Sequence, residues 1–453
     1  FSVFSSDKTP LKNNHHHRPF FQCCPFFSDK SSIMSSINPT TTTISLMSKF
    51  RGCMIGGLIG DCLGSPFEGE TSIPIDSIQK FLTKQLEEQS EKSPGFQILS
   101  YTDDTAMTKS IAQSLIEMKK FDPKDIAKRF ALEYNKEPKR GYGTNVVDVF
   151  AALMLTNYES PYEPAKRQFG GFGSYGNGGA MRVGPCAMYG YNMELNKLLE
   201  FTRDCARITH SNIYGYNGAI LQCLAIHQAL HLHSIIRTIT DINHYLNNLI
   251  EKMLRIELDS QTAYTMMNQH NQQNHSTISN NHHLNSTNNN NDNNNQQQIN
   301  NQEKKLLTPF SDKLKKVKEI LNNELKGNVR YSIDKIINGL GNDVSAFKSV
   351  PTAIYFALKG QISNRLLDSF DHQSPIVRTL YYSLMIGGDT DTIGSMACSI
   401  SGALNGIESI PKILLKHCES SDIMEKYADD LFRLVRSTNS PPSSTTTTST
   451  SST

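Results

Sequence analysis

From Ser48 to about Met266, and again from Glu303 to Arg436, apolar residues recur at helical rather than strand spacing. Met107, Ile111, Leu115 and Met118 stand at i, i+4, i+8 and i+11, one face of a 3.6-residue repeat. Ile393, Met396, Ala397, Ile400 and Leu404 mark a second such face. Clean period-two alternation is scarce, so the pattern predicts an all-α fold, one compact many-helix domain over residues 48–436. Gly52, Gly56, Gly60 and Gly64 lie four apart and form a bare stripe on a helix. Arg51 and Asp61 interrupt its apolarity, which rules out a membrane G-x-x-x-G and leaves close packing against another helix.

Residues 268–302 break the pattern. Almost all are Asn, Gln, His, Ser and Thr, which offer no apolar face and compete for backbone hydrogen bonds. The tract reads as a disordered insertion within one domain, because closing a flexible loop of this size costs only about 3 kcal/mol beyond a constant. Residues 1–47 read as a disordered tail. They are Ser-rich and acid-poor like a targeting segment, but Pro10, Pro19, Pro25 and Pro39 interrupt any amphipathic helix. The run His15-His16-His17 belongs to that solvated tail rather than to a metal site, and residues 437–453 form a disordered Ser/Thr tail.

These tracts explain an apolar fraction of 38%, low for a globular chain. A net charge of +2, from 45 basic and 43 acidic side chains, carries no footprint for nucleic acid or a membrane. No window approaches the roughly 18 consecutive apolar residues of a membrane span. Nine scattered cysteines without C-x-x-C spacing argue against a disulfide framework or zinc. A reduced, intracellular compartment is expected, cytoplasm and nucleus or the mitochondrial matrix, with the chain a monomer.

Candidate chemistry sits at helix starts. Thr102-Asp103-Asp104-Thr105 precedes the first helical stripe, so Thr102 or Asp103 can cap it, with carboxylates in the first turn. Taken alone it is a well-capped helix. Gly387-Gly388-Asp389-Thr390-Asp391-Thr392 repeats the arrangement before the second stripe. If the two starts face each other, the carboxylates crowd one volume and either hold protons or require cations between them. Oxygen donors without His or Cys favour magnesium or manganese over zinc. Glu68 supplies a further carboxylate after the glycine stripe, with Glu70 as the alternative. The glycine-rich segment Gln168 to Arg182 lets backbone N–H groups approach a ligand, and a helix start behind it suits an anion such as a diphosphate. It lacks the Gly-Lys-Ser/Thr of a P-loop. His210, in Ala206 to Ser211, is by itself a structural hydrogen-bonding residue as readily as a site residue.

Together these segments resemble the ADP-ribosylglycohydrolase family, which includes the dinitrogenase-reductase-activating glycohydrolases, and within it the subgroup that releases ADP-ribose from serine. The resemblance runs collinearly through Gly52 to Glu68, Tyr101 to Thr105, Gly141-Tyr142-Gly143, Gly173 to Arg182, Thr209-His210, Gly215 to Ala219, Ser349-Val350-Pro351 and Gly387 to Thr392. It implies two magnesium ions held by Glu68, Thr102, Asp103, Asp104, Asp389, Asp391 and Thr392, with Glu68 on a movable flap. Phe169, Phe172, Gly173, Ser174, Tyr175, Gly176, Asn177, Gly178 and His210 would meet ADP-ribose, as would Asp103. Glu68, Asp104 and Asp391 are the implied catalytic groups. The implied substrates are ADP-ribosylated proteins, poly(ADP-ribose) and O-acetyl-ADP-ribose, a role that belongs to the DNA damage response. Ser174 to Ala180 carries the subgroup, since arginine-directed relatives differ there. The competing readings are an arginine-directed hydrolase, a non-catalytic crystallin-like binder, and a haloacid-dehalogenase-type phosphatase. The phosphatase would use Asp389-Thr390-Asp391-Thr392 as its D-x-D-x-T and needs a buried strand before it.

Overall fold

In the computed structural model, residues 43–87, 95–279, 308–327, 329–363 and 370–437 are described. They form seventeen α-helices and no strand, with only two isolated bridges, Leu99 to Cys418 and Gly176 to Ser345. The fold is all-α, as the periodicity predicts. In chain order come α1 (Leu46–Gly64), α2 (Ile75–Leu86), α3 (Asp103–Met118), α4 (Pro123–Lys136), α5 (Thr144–Leu155) and α6 (Glu163–Lys166). Next are α7 (Gly184–Tyr189), α8 (Leu195–Arg207), α9 (Ile213–His231), α10 (Ile239–Ser279), α11 (Pro309–Gly327) and α12 (Ile333–Gly339). The last five are α13 (Ala346–Lys359), α14 (Pro375–Met385), α15 (Thr390–Asn405), α16 (Lys412–Lys416) and α17 (Ser421–Ser437).

At the centre lies α15, every residue of which is buried. Its sequence is small or apolar on all sides, as suits a helix enclosed all round. The glycine stripe of α1 meets it in antiparallel register. A Cβ added at Gly64 would stand 2.6 Å from the Thr390 carbonyl oxygen, and those at Gly52, Gly56 and Gly60 would strike the carbonyls of Gly402, Cys398 and Gly394. Only glycine permits this approach. It sets the last turn of α1 beside the first turn of α15, while α9, α13 and α14 enclose the rest.

The α3 stripe is buried at Met107, Ile111 and Leu115, whereas Met118 is exposed where the helix ends at left-handed Lys119. Helices α10 and α11 pair antiparallel. Asn243 and Asn322 exchange side-chain hydrogen bonds of 3.0 and 2.8 Å, Lys318 donates to Asn247 at 2.7 Å, and the Glu257 carboxylate accepts the Phe310 and Ser311 N–H groups at 2.8 and 3.1 Å. No Pro or Gly interrupts Ile239–Ser279, and α10 continues past Asn268, the first residue of the polar tract, to Ser279. The remainder of that tract, the tail through Thr42 and the tail from Thr438 lie outside the described residues.

Candidate active site

Thr102 caps α3: its backbone is extended and its Oγ1 accepts the Asp104 N–H at 3.4 Å. A second acceptor comes from α1. The buried Asp61 carboxylate takes the Thr102 N–H at 2.9 and 3.1 Å and the Thr105 N–H at 3.0 Å. Asp61 thus ties the end of α1 to the start of α3. The sequence offered a signal for it, since a lone carboxylate inside a glycine and apolar stripe is buried only when paired.

The other acidic start is held from below. Gly387 and Gly388 take left-handed angles (φ 63 and 68) that a side chain would resist. The Gly388 N–H donates to the Glu70 carbonyl at 2.8 Å, and the Gly69 N–H to the Gly388 carbonyl at 2.8 Å. This stitching spends Glu70 on its backbone and leaves Glu68 at the cluster. One oxygen each from Glu68, Asp389 and Asp391 lies within 4.8 Å of the others. The two helix starts do face each other: Thr392 Oγ1 and Thr102 Oγ1 donate to Asp104 Oδ2 at 3.2 and 3.3 Å. Thr390 turns away, donating to the Gly64 carbonyl at 3.0 Å.

Crowding and burial act together on these carboxyls. Burial, then the neighbouring carboxylates, pushes Asp61 and Asp391 up to about 7 and Asp103 and Asp104 well above the usual range. Asp389 and Glu68 are raised as well, burial again the larger cause. Asp104 Oδ1 is buried with no hydrogen-bond partner. An orphaned carboxylate oxygen beside three convergent carboxylates is a donor set that fits a hard divalent cation, which would supply the missing partner and the missing positive charge.

The glycine-rich segment borders this cluster. Asn177 Nδ2 donates both to Asp389 Oδ2 and to Ser349 Oγ, and the Asn177 N–H reaches the Val344 carbonyl at 2.8 Å. Ser174 is buried and its Oγ accepts the Gly176 N–H at 3.3 Å. Gly173 (φ 72) packs where any Cβ would strike Ser211. Phe169, Phe172 and Tyr175 are exposed by 46%, 78% and 46%, unusual for such rings, and Phe169 and Tyr175 lie 6.0 Å apart. The helix expected behind the segment Gln168 to Arg182 is present as α7, two residues beyond Arg182. Asn177–Gly179 is a 3-10 turn, and Arg182 is drawn into the core between it and the buried Gly184 that opens α7.

His210 lies beneath the loop, buried, with Nδ1 2.7 Å from Thr209 Oγ1. Burial and then the Arg182 charge push it down to about 3. Arg182 itself donates to Thr209 Oγ1 and to the Gly178 carbonyl, both at 2.7 Å, and lies over the Phe130 ring. Sequence reading named His210 but gave Arg182 and Thr209 no role.

The profile of the ADP-ribosylglycohydrolase family matches residues 42–441. The chain belongs to that family. Among its curated relatives it is 36% identical to mouse ADP-ribosylhydrolase ARH3 over 87% of this chain and 93% of the relative. The human ADP-ribosylhydrolase ARH3 is 35% identical over 86% and 94%, and the chicken protein 37% over 85% and 93%. A solved ADP-ribosylglycohydrolase-related protein complex shares the fold, with a TM-score of 0.50 and 17% identity over 86% of this chain and 99% of that one. Membership in the ADP-ribosylglycohydrolases makes the protein a glycohydrolase enzyme. The phosphatase reading fails on the fold, since the residues before Gly387 are helix α14 rather than a strand. No helix among the described residues is long and apolar enough to cross a membrane.

Proposed function

We propose that the protein is a magnesium-dependent hydrolase that releases ADP-ribose from modified proteins, preferring the serine linkage. The observation that carries this reading is the convergence of Glu68, Asp389 and Asp391 on the Thr102–Asp104 helix start, bordered by Asn177 of the glycine-rich loop. Serine preference rests on the Ser174 to Ala180 motif and on the likeness to the ADP-ribosylhydrolase ARH3 relatives.

Glu68, Thr102, Asp103, Asp104, Asp389, Asp391 and Thr392 would hold two magnesium ions, manganese being the alternative, which supply positive charge at the distal ribose and acidify a water there. The rest of the chemistry belongs to the chain. Glu68, the exposed member of the cluster, would carry a proton to or from the reacting oxygens, a role its exposure supports. Asp104 or Asp391 orients the water, and the carboxylates together stabilise oxocarbenium character at the anomeric carbon. Phe169, Phe172 and Tyr175 offer ring faces to the nucleoside end, while the loop from Gly173 to Gly178 and His210 receive the diphosphate. Poly(ADP-ribose) and O-acetyl-ADP-ribose present the same ribose and are proposed as further substrates, with an intracellular role in the DNA damage response.

The test offers serine-linked and arginine-linked ADP-ribosyl peptides with magnesium or chelator, and repeats the assay with Asp103→Asn. The expected result is serine-selective release that needs the metal and falls about a hundredfold in the variant. Undiminished release in chelator would end the metal mechanism, and faster arginine release the linkage preference. Binding of ADP-ribose without any release would make the protein a non-catalytic binder.

A further inference from the structure

Among the buried groups that the reaction does not use, Arg182 has no carboxylate partner among the described residues, although it is fully buried. Its hydrogen bonds go to a carbonyl and a hydroxyl, with the Met107 sulfur at 3.7 Å and the Phe130 ring against its face; none of these carries a compensating formal charge, so its burial is costly and its position calls for a reason. The hydrogen-bond directions supply one. A guanidinium can only donate, so Thr209 Oγ1 must accept from Arg182 at 2.7 Å. The single hydroxyl proton of Thr209 has no other acceptor among the described residues, so it points to His210 Nδ1, also at 2.7 Å, rather than being left unpaired in the interior. Nδ1 is thereby an acceptor without a proton, and the imidazole carries its proton on Nε2. Nε2 has no hydrogen-bond partner among the described residues. It faces the glycine loop, where a Cβ at Gly178 would stand 3.1 Å and one at Gly176 3.4 Å away, in the space that side chains at these positions would fill.

We propose that Arg182 and Thr209 are positioning residues that lock His210 as a neutral Nε2–H donor aimed into the glycine loop, where it binds an acceptor oxygen of the ligand. The ligand side of this rests on the reading of the loop as an ADP-ribose site; the relay itself does not. The charge of Arg182 also disfavours the imidazolium, in keeping with the low proton affinity of His210. No other charged group acts on the ring among the described residues.

The relay is read directly in the unliganded full chain by long-range proton–nitrogen NMR of 15N-histidine protein. Wild type should show His210 as the neutral Nε2–H tautomer at pH 6–8. Thr209→Val keeps the side-chain shape but removes the hydroxyl, and should move His210 toward a mixture of tautomers. Thr209→Ser should restore the single tautomer, a rescue that mere packing would not give. ADP-ribose titrated by calorimetry with magnesium present should bind Thr209→Val about tenfold more weakly than wild type, and Thr209→Ser within twofold. An Nδ1–H tautomer or an imidazolium in wild type at pH 7 overturns the relay, as does a Thr209→Val protein with unchanged tautomer. A locked Nε2–H tautomer in a protein that fails to bind ADP-ribose overturns the ligand assignment alone.

Discussion

Asp61 and Asp391 hold their protons up to about 7, chiefly because burial disfavours the charged form, with the charge of Asp391 adding to it at Asp61 and that of Asp389 at Asp391. A carboxyl raised in the folded state contributes stability that is full below its ordinary value, about 4, and is lost as pH climbs toward 7. A bound cation replaces those protons and reverses the loss. The difference in Tm between magnesium-containing and chelator-treated protein should therefore widen from pH 5 to pH 7.5, with apparent magnesium affinity rising about tenfold per pH unit for each proton displaced. Taking the difference cancels His210 and His227, which burial pushes down to about 3 and about 4. These histidines act with the opposite sign: they stay neutral in the fold and lose stability as pH falls below about 6.5. A Tm difference that stays flat across the window would count against cation binding by this cluster. At this scale the sequence showed the acidic groups at both helix starts, and the structure brings them together. The sequence marked Asp61 only as a break in the stripe, because the amide partners that explain its burial belong to a distant helix.

The α1–α15 seam places those residues. Gly60→Ala would drive a Cβ into the Gly394 backbone, forcing the helices apart and carrying Asp391 with them. Expected are a loss of about 1–3 kcal/mol, read from the urea unfolding midpoint, and a fall in hydrolysis larger than a surface change would cause. Gly57→Ala is the control on the same helix. Its nearest neighbour would be Ser395 Oγ at 3.7 Å, so the variant should match wild type or gain up to about 1 kcal/mol from helix propensity. Equal losses in the two variants would mean that the seam is not the constraint. The spacing of Gly52, Gly56, Gly60 and Gly64 foretold a close helix contact, yet not the partner, because a bare stripe specifies distance and carries no address. The glycine richness of residues 168–182 showed that the backbone turns sharply there, as left-handed Gly170, Gly171 and Gly173 do. The helix behind them was legible too, whereas the burial of Arg182 was not, since its partner Thr209 lies in another segment.

Across the whole molecule, Glu257 on α10 grips the first residues of α11, so the two helices are joined at that point independently of the chain between them. Replacing residues 261–307 with a Gly/Ser linker of about eight residues should leave hydrolysis within twofold of wild type. Stability should hold or rise, because shortening a connection lowers its closure entropy, by about 0.6 kcal/mol for each halving of length. A protein that no longer folds would show that the tract does more than connect. The same geometry divides the centre along the chain. Asp61, Glu68 and Thr102–Asp104 all precede α10, and Asp389–Thr392 all follow α11. Each stretch brings an incomplete set of acidic groups, and only the seam unites them. Hydrolysis is therefore a conjunction: a polypeptide whose synthesis halts anywhere in the intervening tract is catalytically silent however well its first helices fold, so that turnover itself certifies a finished chain.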